Sequence, residues 1–244
     1  MDPRDRLVVA LDVPTLVDAE ALAYRLQGVV RWFKIGPHLF TAAGPQAVAA
    51  IARYGRIFLD MKFHDIPSTV GAGVAAAARQ GIALCTVHAS GGTAMMRAAR
   101  EAAAAVFRET GAGPLRVLGV TLLTSSDEAT LAEAGTAGSP LDTVLRLARL
   151  AKAAGLDGVV ISPLEAEAVR GACGPKFLLV CPGIRSAGGS DDQRRVCTPS
   201  AAVAAGADLL VIGRPITRAP DPRGAAEEIL REIEGASPAS HSQG

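Results

Sequence analysis

Residues 154–161 read Ala-Gly-Leu-Asp-Gly-Val-Val-Ile, and residues 205–212 read Ala-Gly-Ala-Asp-Leu-Leu-Val-Ile. Each copy places a glycine and an aspartate directly before a short apolar run, where a helix would end and a strand would begin. A motif that returns at this distance indicates a repeated unit of strand and helix. The repeat therefore favours a parallel sheet built from such units.

Short runs rich in Val, Ile and Leu recur along the whole chain, and a longer Ala-rich amphipathic stretch follows each of them. This alternation is typical of strand and helix units around a parallel sheet. The predicted strands are residues 7–11, 32–35, 57–59, 84–87, 117–120, 158–161, 177–180 and 209–212. The predicted helices are residues 16–26, 45–53, 68–80, 94–108, 141–154, 163–170, 199–205 and 225–234. The glycines expected to cap helices in a left-handed conformation are Gly81, Gly111, Gly155, Gly206 and Gly235.

Eight such units predict one α/β domain, a single (β/α)8 TIM barrel with its active site at the C-terminal ends of the strands. The 244 residues are close to the about 250 that such a barrel needs. An open doubly wound sheet is the alternative, but it requires a glycine-rich turn after an early strand, and residues 11–14 contain no glycine. We expect the barrel to span residues 1–235 and the small, polar residues 236–244 to form a disordered tail.

Composition excludes several classes of protein. Lys and Arg number 25 against 24 Asp and Glu, so there is no overall charge to attract nucleic acid or a membrane surface. The four cysteines lie far apart without zinc-site spacing, and no apolar run approaches the about 20 residues of a membrane helix. No serine-hydrolase elbow, Walker A loop or zinc-protease helix is present. The sequence predicts a cytoplasmic protein.

Charged residues at the ends of the apolar runs are the first candidates for chemistry, because strand ends converge at one face of a barrel. They are Asp12, Lys34, Asp60, Lys62 and His88. Any one of them could be an ordinary solvated charge. His88 could orient a polar network or be a satisfied histidine at the barrel end, while His38 and His64 are expected to be structural or solvated.

The segment around Lys62 carries the strongest signal. Period-two alternation points Asp60 and Lys62 to the same side of an extended strand, and Asp65 follows where the strand ends. If that side is the barrel mouth, an ammonium group is held between carboxylates, protonated and available as a general acid. The alternative is an ordinary ion pair of little energetic weight.

A second group of residues follows the seventh and eighth predicted strands, where barrels commonly bind phosphate. It comprises Pro182, Arg185, Gln193, Gly213 and Arg214. Glycine exposes backbone N–H groups and arginine can grip phosphate oxygens with two hydrogen bonds, so this placement favours a phosphorylated substrate. The small, polar residues 186–192 are either an inert surface loop or a lid that closes on the ligand.

The residues at 57–69, Ile-Phe-Leu-Asp-Met-Lys-Phe-His-Asp-Ile-Pro-Ser-Thr, resemble the signature of the orotidine 5'-phosphate decarboxylase family, Asp-x-Lys-x-x-Asp-Ile followed by Thr. The resemblance extends through residues 7–12, 33–36, 121–125, 182–185 and 207–216. The Asp-x-Lys-x-x-Asp motif alone is shared with sugar-phosphate decarboxylases and aldolases, whereas the order and spacing of all six blocks are specific.

The resemblance implies decarboxylation of orotidine 5'-monophosphate to UMP and CO2, the last step of de novo UMP synthesis, without metal or organic cofactor. It implies that Lys62 protonates C6, that Asp60 lies beside the departing carboxylate, and that Lys34 and Asp12 bind the ribose and orient the charges. The residues implied to reach the neighbouring site of a homodimer are Asp65, Ile66 and Thr69. Those implied to contact the pyrimidine are Thr124 and Ser125, and those implied to hold the phosphate are Arg185, Gln193, Gly213 and Arg214, with Pro182 in the same substrate-binding set.

Two other functions remain open on the sequence. One is a metal-dependent sugar-phosphate decarboxylase or aldolase on the same barrel. Lys34 argues against it, because enzymes of that kind carry an acidic residue at the equivalent position. The other is a phosphate-binding protein without turnover, against which the intact Asp60, Lys62 and Asp65 argue.

Overall fold

The computed structural model describes residues 2–185 and 197–236, and eight parallel strands within them form a closed barrel in the order of the chain. The strands are β1 (Leu7–Ala10), β2 (Trp32–Ile35), β3 (Arg56–Phe63), β4 (Leu84–His88), β5 (Arg116–Val120), β6 (Gly158–Val160), β7 (Leu178–Pro182) and β8 (Leu209–Ile212). Strand β8 pairs with β1, which closes the barrel. The predicted (β/α)8 TIM barrel is confirmed, and each predicted strand overlaps an observed one.

The helices of the described residues surround the barrel. They are α1 (Pro3–Arg6), α2 (Leu16–Leu26), α3 (Pro37–Ala43), α4 (Pro45–Ile51), α5 (Pro67–Arg79), α6 (Gly92–Thr110), α7 (Glu128–Glu133), α8 (Pro140–Ala153), α9 (Ala166–Cys173), α10 (Pro199–Ala204), α11 (Arg214–Thr217) and α12 (Pro222–Glu234). Side-chain caps fix several of their starts: Thr15 accepts from the Asp18 N–H before α2, and Ser139 accepts from the Asp142 N–H before α8. No helix in the parts of the chain described above has the length and apolar character to cross a membrane.

Two apolar layers hold the barrel. Nine buried side chains fill its interior: Val8, Ala10, Trp32, Phe58, Leu84, Leu118, Val180, Leu209 and Val211. A larger cluster lies between the strands and the helices and includes Val9, Phe33, Leu59 and Leu210. Neighbouring residues of a strand therefore belong to different layers, as the period of two requires, so the side chains that face inward at the strand ends meet above the interior layer.

The sequence repeat has a structural counterpart at the N-terminal ends of the strands. Asp157 Oδ2 accepts the N–H of Val117 at 2.8 Å, and Asp208 Oδ2 accepts the N–H of Leu179 at 2.8 Å. Asp157 thus connects the start of β6 to β5, and Asp208 connects the start of β8 to β7. Asp208 also pairs with Arg170 at 2.6 Å, and that buried guanidinium donates to three backbone carbonyls as well.

Four of the five predicted cap glycines have the left-handed conformation, with φ of +72° at Gly81 and +98° at Gly206 as examples. Gly235 differs, because its φ is −71° and the helix ends without a left-handed residue. Of the predicted tail, Ala236 packs partly against the core, and residues 237–244 lie outside the described residues.

Candidate active site

A cavity of about 380 Å³ opens at the C-terminal ends of the strands. Most residues that the sequence singled out line it: Asp12, Lys34, Asp60, Lys62, Thr124, Ser125, Pro182, Arg185, Gly213 and Arg214. A volume of this order is typical of small-molecule sites. The barrel therefore brings together, in one cavity, residues that are spread over the whole sequence.

Charges of alternating sign form a chain along one side of the cavity. Lys62 Nζ lies 2.9 Å from Asp60 Oδ2, and Lys34 Nζ lies 3.6 Å from the same oxygen. Lys34 Nζ also lies 3.3 Å from Asp12 Oδ1. Gly36 leaves the room for this approach, because a Cβ at that position would lie 3.1 Å from both Asp12 Oδ1 and Lys34 Nζ. Two ammonium groups thus share a single carboxylate.

Asp60 stays ionised despite its burial. The residue is 8% exposed, and loss of water around it pushes the pKa of the carboxyl upward. The ammonium groups of Lys34 and Lys62, with hydrogen bonds from Lys62 and Thr86, outweigh that effect and hold the pKa of Asp60 below its ordinary value. The cavity therefore contains a fixed negative charge between two fixed positive ones.

A bulge in β3 brings Asp60 and Lys62 together. The pairing of β3 with β4 is regular up to Leu59 and resumes at Phe63, so residues 60–62 lie opposite the single residue Thr86. Lys62 has a φ of +53°, which places its backbone in the left-handed region. Asp60 and Lys62 reach the same cavity, as predicted, but through this bulge and not through regular alternation.

Thr86 is the residue of this arrangement that the sequence analysis missed. Its hydroxyl donates to Asp60 Oδ1 at 3.0 Å and accepts the backbone N–H of Lys62 at 2.9 Å. A signal was available: His88 was noted at the end of the fourth strand, and alternation by two places Thr86 on the same inward side.

The opposite side of the cavity carries the arginines. Strands β3 and β7 are four positions apart in the eight-stranded barrel, so Arg185, after β7, faces the Lys62 side across the opening. Arg214 follows β8 and lines the same cavity. Apolar side chains complete the wall: Leu122, Leu123, Ile161, Ile184 and Pro215. The arrangement suits a flat, partly apolar ligand with an anionic end.

Gln193 and the candidate lid, residues 186–192, lie outside the described residues. Arg185, which lines the cavity, and Cys197 are the described residues on either side of residues 186–196, and the Arg185 N–H donates to the Cys197 carbonyl at 3.0 Å.

Three predicted residues do not line the cavity of their own chain. Asp65, Ile66 and Thr69 follow β3 and are exposed, and Ile66 keeps 63% of its surface accessible. Asp65 Oδ1 accepts the N–H of Ile66. Among the described residues of one chain, Lys62 therefore forms an ion pair with Asp60 alone, and the expected second carboxylate is not in contact.

His88 and His64 pack against each other beside the charged network, with ring centroids 5.3 Å apart. His88 is partly buried, and burial, then His64 and Lys62, lower its pKa, while Asp60 acts in the opposite direction. The neutral imidazole is therefore favoured at position 88. In residues 2–185 and 197–236, neither ring makes a hydrogen bond, so His88 is not an orienting hydrogen-bond partner of Asp60 or Lys62 there.

The described residues of the cavity do not form a donor set for a metal ion. No three His, Cys, Asp or Glu side chains within the described ranges converge in a way that could hold one. The Lys34 ammonium lies between Asp12 and Asp60, so a positive charge already occupies the gap between these carboxylates.

Comparison with known proteins agrees with the geometry. The sequence model of the "Orotidine 5'-phosphate decarboxylase / HUMPS family" matches residues 5–229. The orotidine 5'-phosphate decarboxylase of Trichlorobacter lovleyi is 50% identical over 95% of this chain and 96% of its own length. That of Moorella thermoacetica is 51% identical over 96% of this chain and 94% of its own length.

A solved structure gives the same result. The crystal structure of orotidine 5'-phosphate decarboxylase from Lactobacillus acidophilus superposes with a TM-score of 0.84 at 37% identity, covering 95% of this chain and 100% of that chain. The agreement in sequence and in fold extends over nearly the whole chain. The chain therefore belongs to the orotidine 5'-phosphate decarboxylase / HUMPS family.

Proposed function

We propose that this chain decarboxylates orotidine 5'-monophosphate to UMP and CO2, the last step of de novo UMP synthesis, with no metal or organic cofactor. The observation that carries the proposal is the contact of the Lys62 ammonium with Asp60, with Lys34 on the same oxygen, inside a partly apolar cavity. The relatives at about 50% identity that bear the decarboxylase name support it. We place the reaction in the cytoplasm, which suits four free cysteines.

The reaction is demanding because the bond from C6 to the carboxylate breaks and its electron pair stays on C6. The resulting vinyl carbanion is not delocalised into the ring carbonyls. A charge that is already fixed beside C6 lowers the energy of this carbanion without reorganisation at the moment of reaction. Catalysis of this kind depends on how firmly the charge is held.

Lys62 supplies that charge and the proton. Its ammonium stabilises the developing carbanion and then transfers a proton from Nζ to C6 as CO2 leaves, which gives UMP and a neutral amine. Solvent returns the proton to the amine after the product departs. Asp60 attracts the Lys62 ammonium and Lys34 repels it, so these two charges together keep the ammonium in place.

Asp60 has a second role in this proposal. Its low pKa keeps it ionised, and it lies on the side of the cavity where the substrate carboxylate would approach Lys62. Repulsion between the two carboxylates raises the energy of the bound substrate and disappears when CO2 leaves.

The remaining lining residues bind the nucleotide in this proposal. Lys34 and Asp12 bind the ribose hydroxyls, while Thr124 and Ser125 contact the pyrimidine, with Pro182 beside them. The phosphate is held by Arg185, Gly213 and Arg214 of the cavity lining, together with Gln193, which lies outside the described residues. Binding energy from the distant phosphate then helps to order the site before the chemistry begins.

We further propose a homodimer in which Asp65, Ile66 and Thr69 reach the neighbouring site. All three are exposed and lie outside their own cavity, and an isoleucine with 63% of its surface accessible is suited to a protein interface. Asp65 from the neighbour would supply the second carboxylate beside Lys62, which the described residues of a single chain do not provide.

Turnover of orotidine 5'-monophosphate, followed by ultraviolet absorbance, tests the function, with sugar phosphates plus Mg²⁺ as the competing substrates. We expect loss of orotidine 5'-monophosphate and no reaction of the sugar phosphates. Reaction of the sugar phosphates alone would favour the metal-dependent relatives instead. Tight binding of UMP by a folded protein without any turnover would favour the non-catalytic alternative.

A further inference from the structure

Thr86 lies in the middle of β4, directly beneath the charged network. Its side chain is fully buried, at 0% exposure, and it does not line the cavity. A hydroxyl in such a position cannot touch a ligand in the cavity, so any effect on the reaction must pass through its two partners.

The hydroxyl of Thr86 joins the two halves of the reactive pair. It donates to Asp60 Oδ1 at 3.0 Å, while the ammonium groups of Lys34 and Lys62 occupy Oδ2. It also accepts the backbone N–H of Lys62 at 2.9 Å. One hydroxyl therefore orients the Asp60 carboxylate and fixes the backbone from which the Lys62 side chain leaves.

The backbone at Lys62 needs such support. Lys62 is the residue other than glycine that has a positive φ within the described chain, and this region is unfavourable for a side chain of ordinary size. The ladder between β3 and β4 is interrupted from Leu59 to Phe63, and Thr86 is the single β4 residue opposite the bulge. Its hydroxyl accepts an N–H that no regular strand pairing would satisfy at this point.

We propose that Thr86 is the positioning residue of the reactive pair, holding the β3 bulge so that the Lys62 ammonium and the Asp60 carboxylate stay in their reactive relation. This inference rests on the proposed decarboxylation and adds to it a residue that supplies no charge. A displacement of the ammonium by about 1 Å costs on the order of 100-fold in rate when geometry controls the reaction.

Thr86→Val tests the role, because valine keeps the shape of threonine and removes the hydroxyl. We expect kcat for orotidine 5'-monophosphate to fall by roughly 100-fold with KM and the affinity for UMP within about threefold of wild type. Thr86→Ser restores the hydroxyl and should recover most of kcat. Thr143→Val, a buried threonine of α8 away from the cavity, is the matched control and should keep wild-type kcat.

Two results would overturn the proposal. A Thr86→Val protein with wild-type kcat would show that the hydroxyl is dispensable. A parallel loss of kcat, UMP affinity and thermal midpoint that Thr86→Ser does not repair would show a merely structural role. If Thr86→Val does not fold, Thr86→Ala provides the same comparison. A wild-type protein without turnover would instead remove the proposed function on which the role rests, so the two failures are distinguishable.

Discussion

Lys62 Nζ lies 2.9 Å from Asp60 Oδ2 although both residues leave the same strand with only Met61 between them. The contact exists because β3 bulges at this point and because Lys62 has a left-handed backbone. A regular strand would have separated side chains at this spacing by about 7 Å along its length. The proposed mechanism uses this contact, since it fixes a proton donor beside a permanent negative charge.

Asp60→Asn should change how the free energy of unfolding depends on pH. The pKa of Asp60 lies below its ordinary value, so its ionised form stabilises the fold above about pH 4, and that contribution disappears as pH falls through the lowered pKa. We expect wild type to exceed Asp60→Asn in unfolding free energy by a constant amount at pH 7 and pH 5.5, measured by urea denaturation. The difference should shrink below pH 4. A difference that persists undiminished to pH 2 would contradict the charge assignment.

Mixing inactive variants tests the shared site. Lys62→Ala and Asp65→Ala should each be inactive, but a hybrid dimer contains one site with both residues intact. With random exchange of subunits, half of the dimers are hybrids, so about a quarter of wild-type activity should return. Lys62→Ala mixed with the Lys62→Ala/Asp65→Ala double variant is the control and should stay inactive. If subunits exchange and activity does not return, Asp65 does not act across an interface.

Arg214→Ala should weaken the binding of UMP more than that of uridine. A hydrogen bond to a charged group contributes about 1.5–3 kcal/mol, which corresponds to roughly tenfold to 100-fold in affinity. Titration calorimetry should show that loss for UMP and little change for uridine. Arg218→Ala changes another exposed arginine, four residues further on and outside the cavity lining, and should bind both ligands normally. Equal losses for UMP and uridine would show that Arg214 shapes the cavity without contacting phosphate.

The repeated aspartates at the other end of the barrel should contribute unequally to stability. Asp208 pairs at 2.6 Å with Arg170, whose side chain is 9% exposed, whereas Asp157 lies 3.7 Å from a more exposed Arg100. Removing one partner of a buried pair costs about 3–5 kcal/mol, so Asp208→Ala should lose that much unfolding free energy in urea. Asp157→Ala should lose about 1–3 kcal/mol, since it leaves the Val117 N–H unpaired. Equal losses would contradict the assigned role of the buried arginine.

The sequence predicted the bounds of some elements correctly. Strands β2 and β8 and helix α2 begin and end where they were expected, because short, largely apolar runs mark the strands and the Thr15 cap marks the start of the helix. Helices α1, α3, α7 and α11 were missed because the prediction gave each strand a single following helix, whereas α1 precedes β1 and the other three are additional helices before α4, α8 and α12.

The sequence also predicted part of the candidate site. Charged residues directly after apolar runs identified Asp12, Lys34, Asp60 and Lys62, and the barrel brings them together. The third strand was predicted to end at residue 59, although β3 continues to Phe63, because charged side chains at a barrel mouth face a cavity and do not end a strand. Thr86 was missed because it is uncharged and lies inside the predicted strand, so its alternation with His88 indicated only an inward side chain and not the bulge that it faces.

The central claim is that Lys62 is the proton donor of a decarboxylation that needs no metal. The most direct test measures turnover of orotidine 5'-monophosphate by wild type and by Lys62→Ala, each with and without EDTA. UMP formation by wild type should be unaffected by EDTA. Lys62→Ala should lose at least about 100-fold in kcat while its circular dichroism spectrum and its UMP affinity stay close to wild type. EDTA-sensitive wild-type turnover, or a folded Lys62→Ala protein that still forms UMP at the wild-type rate, would contradict the account.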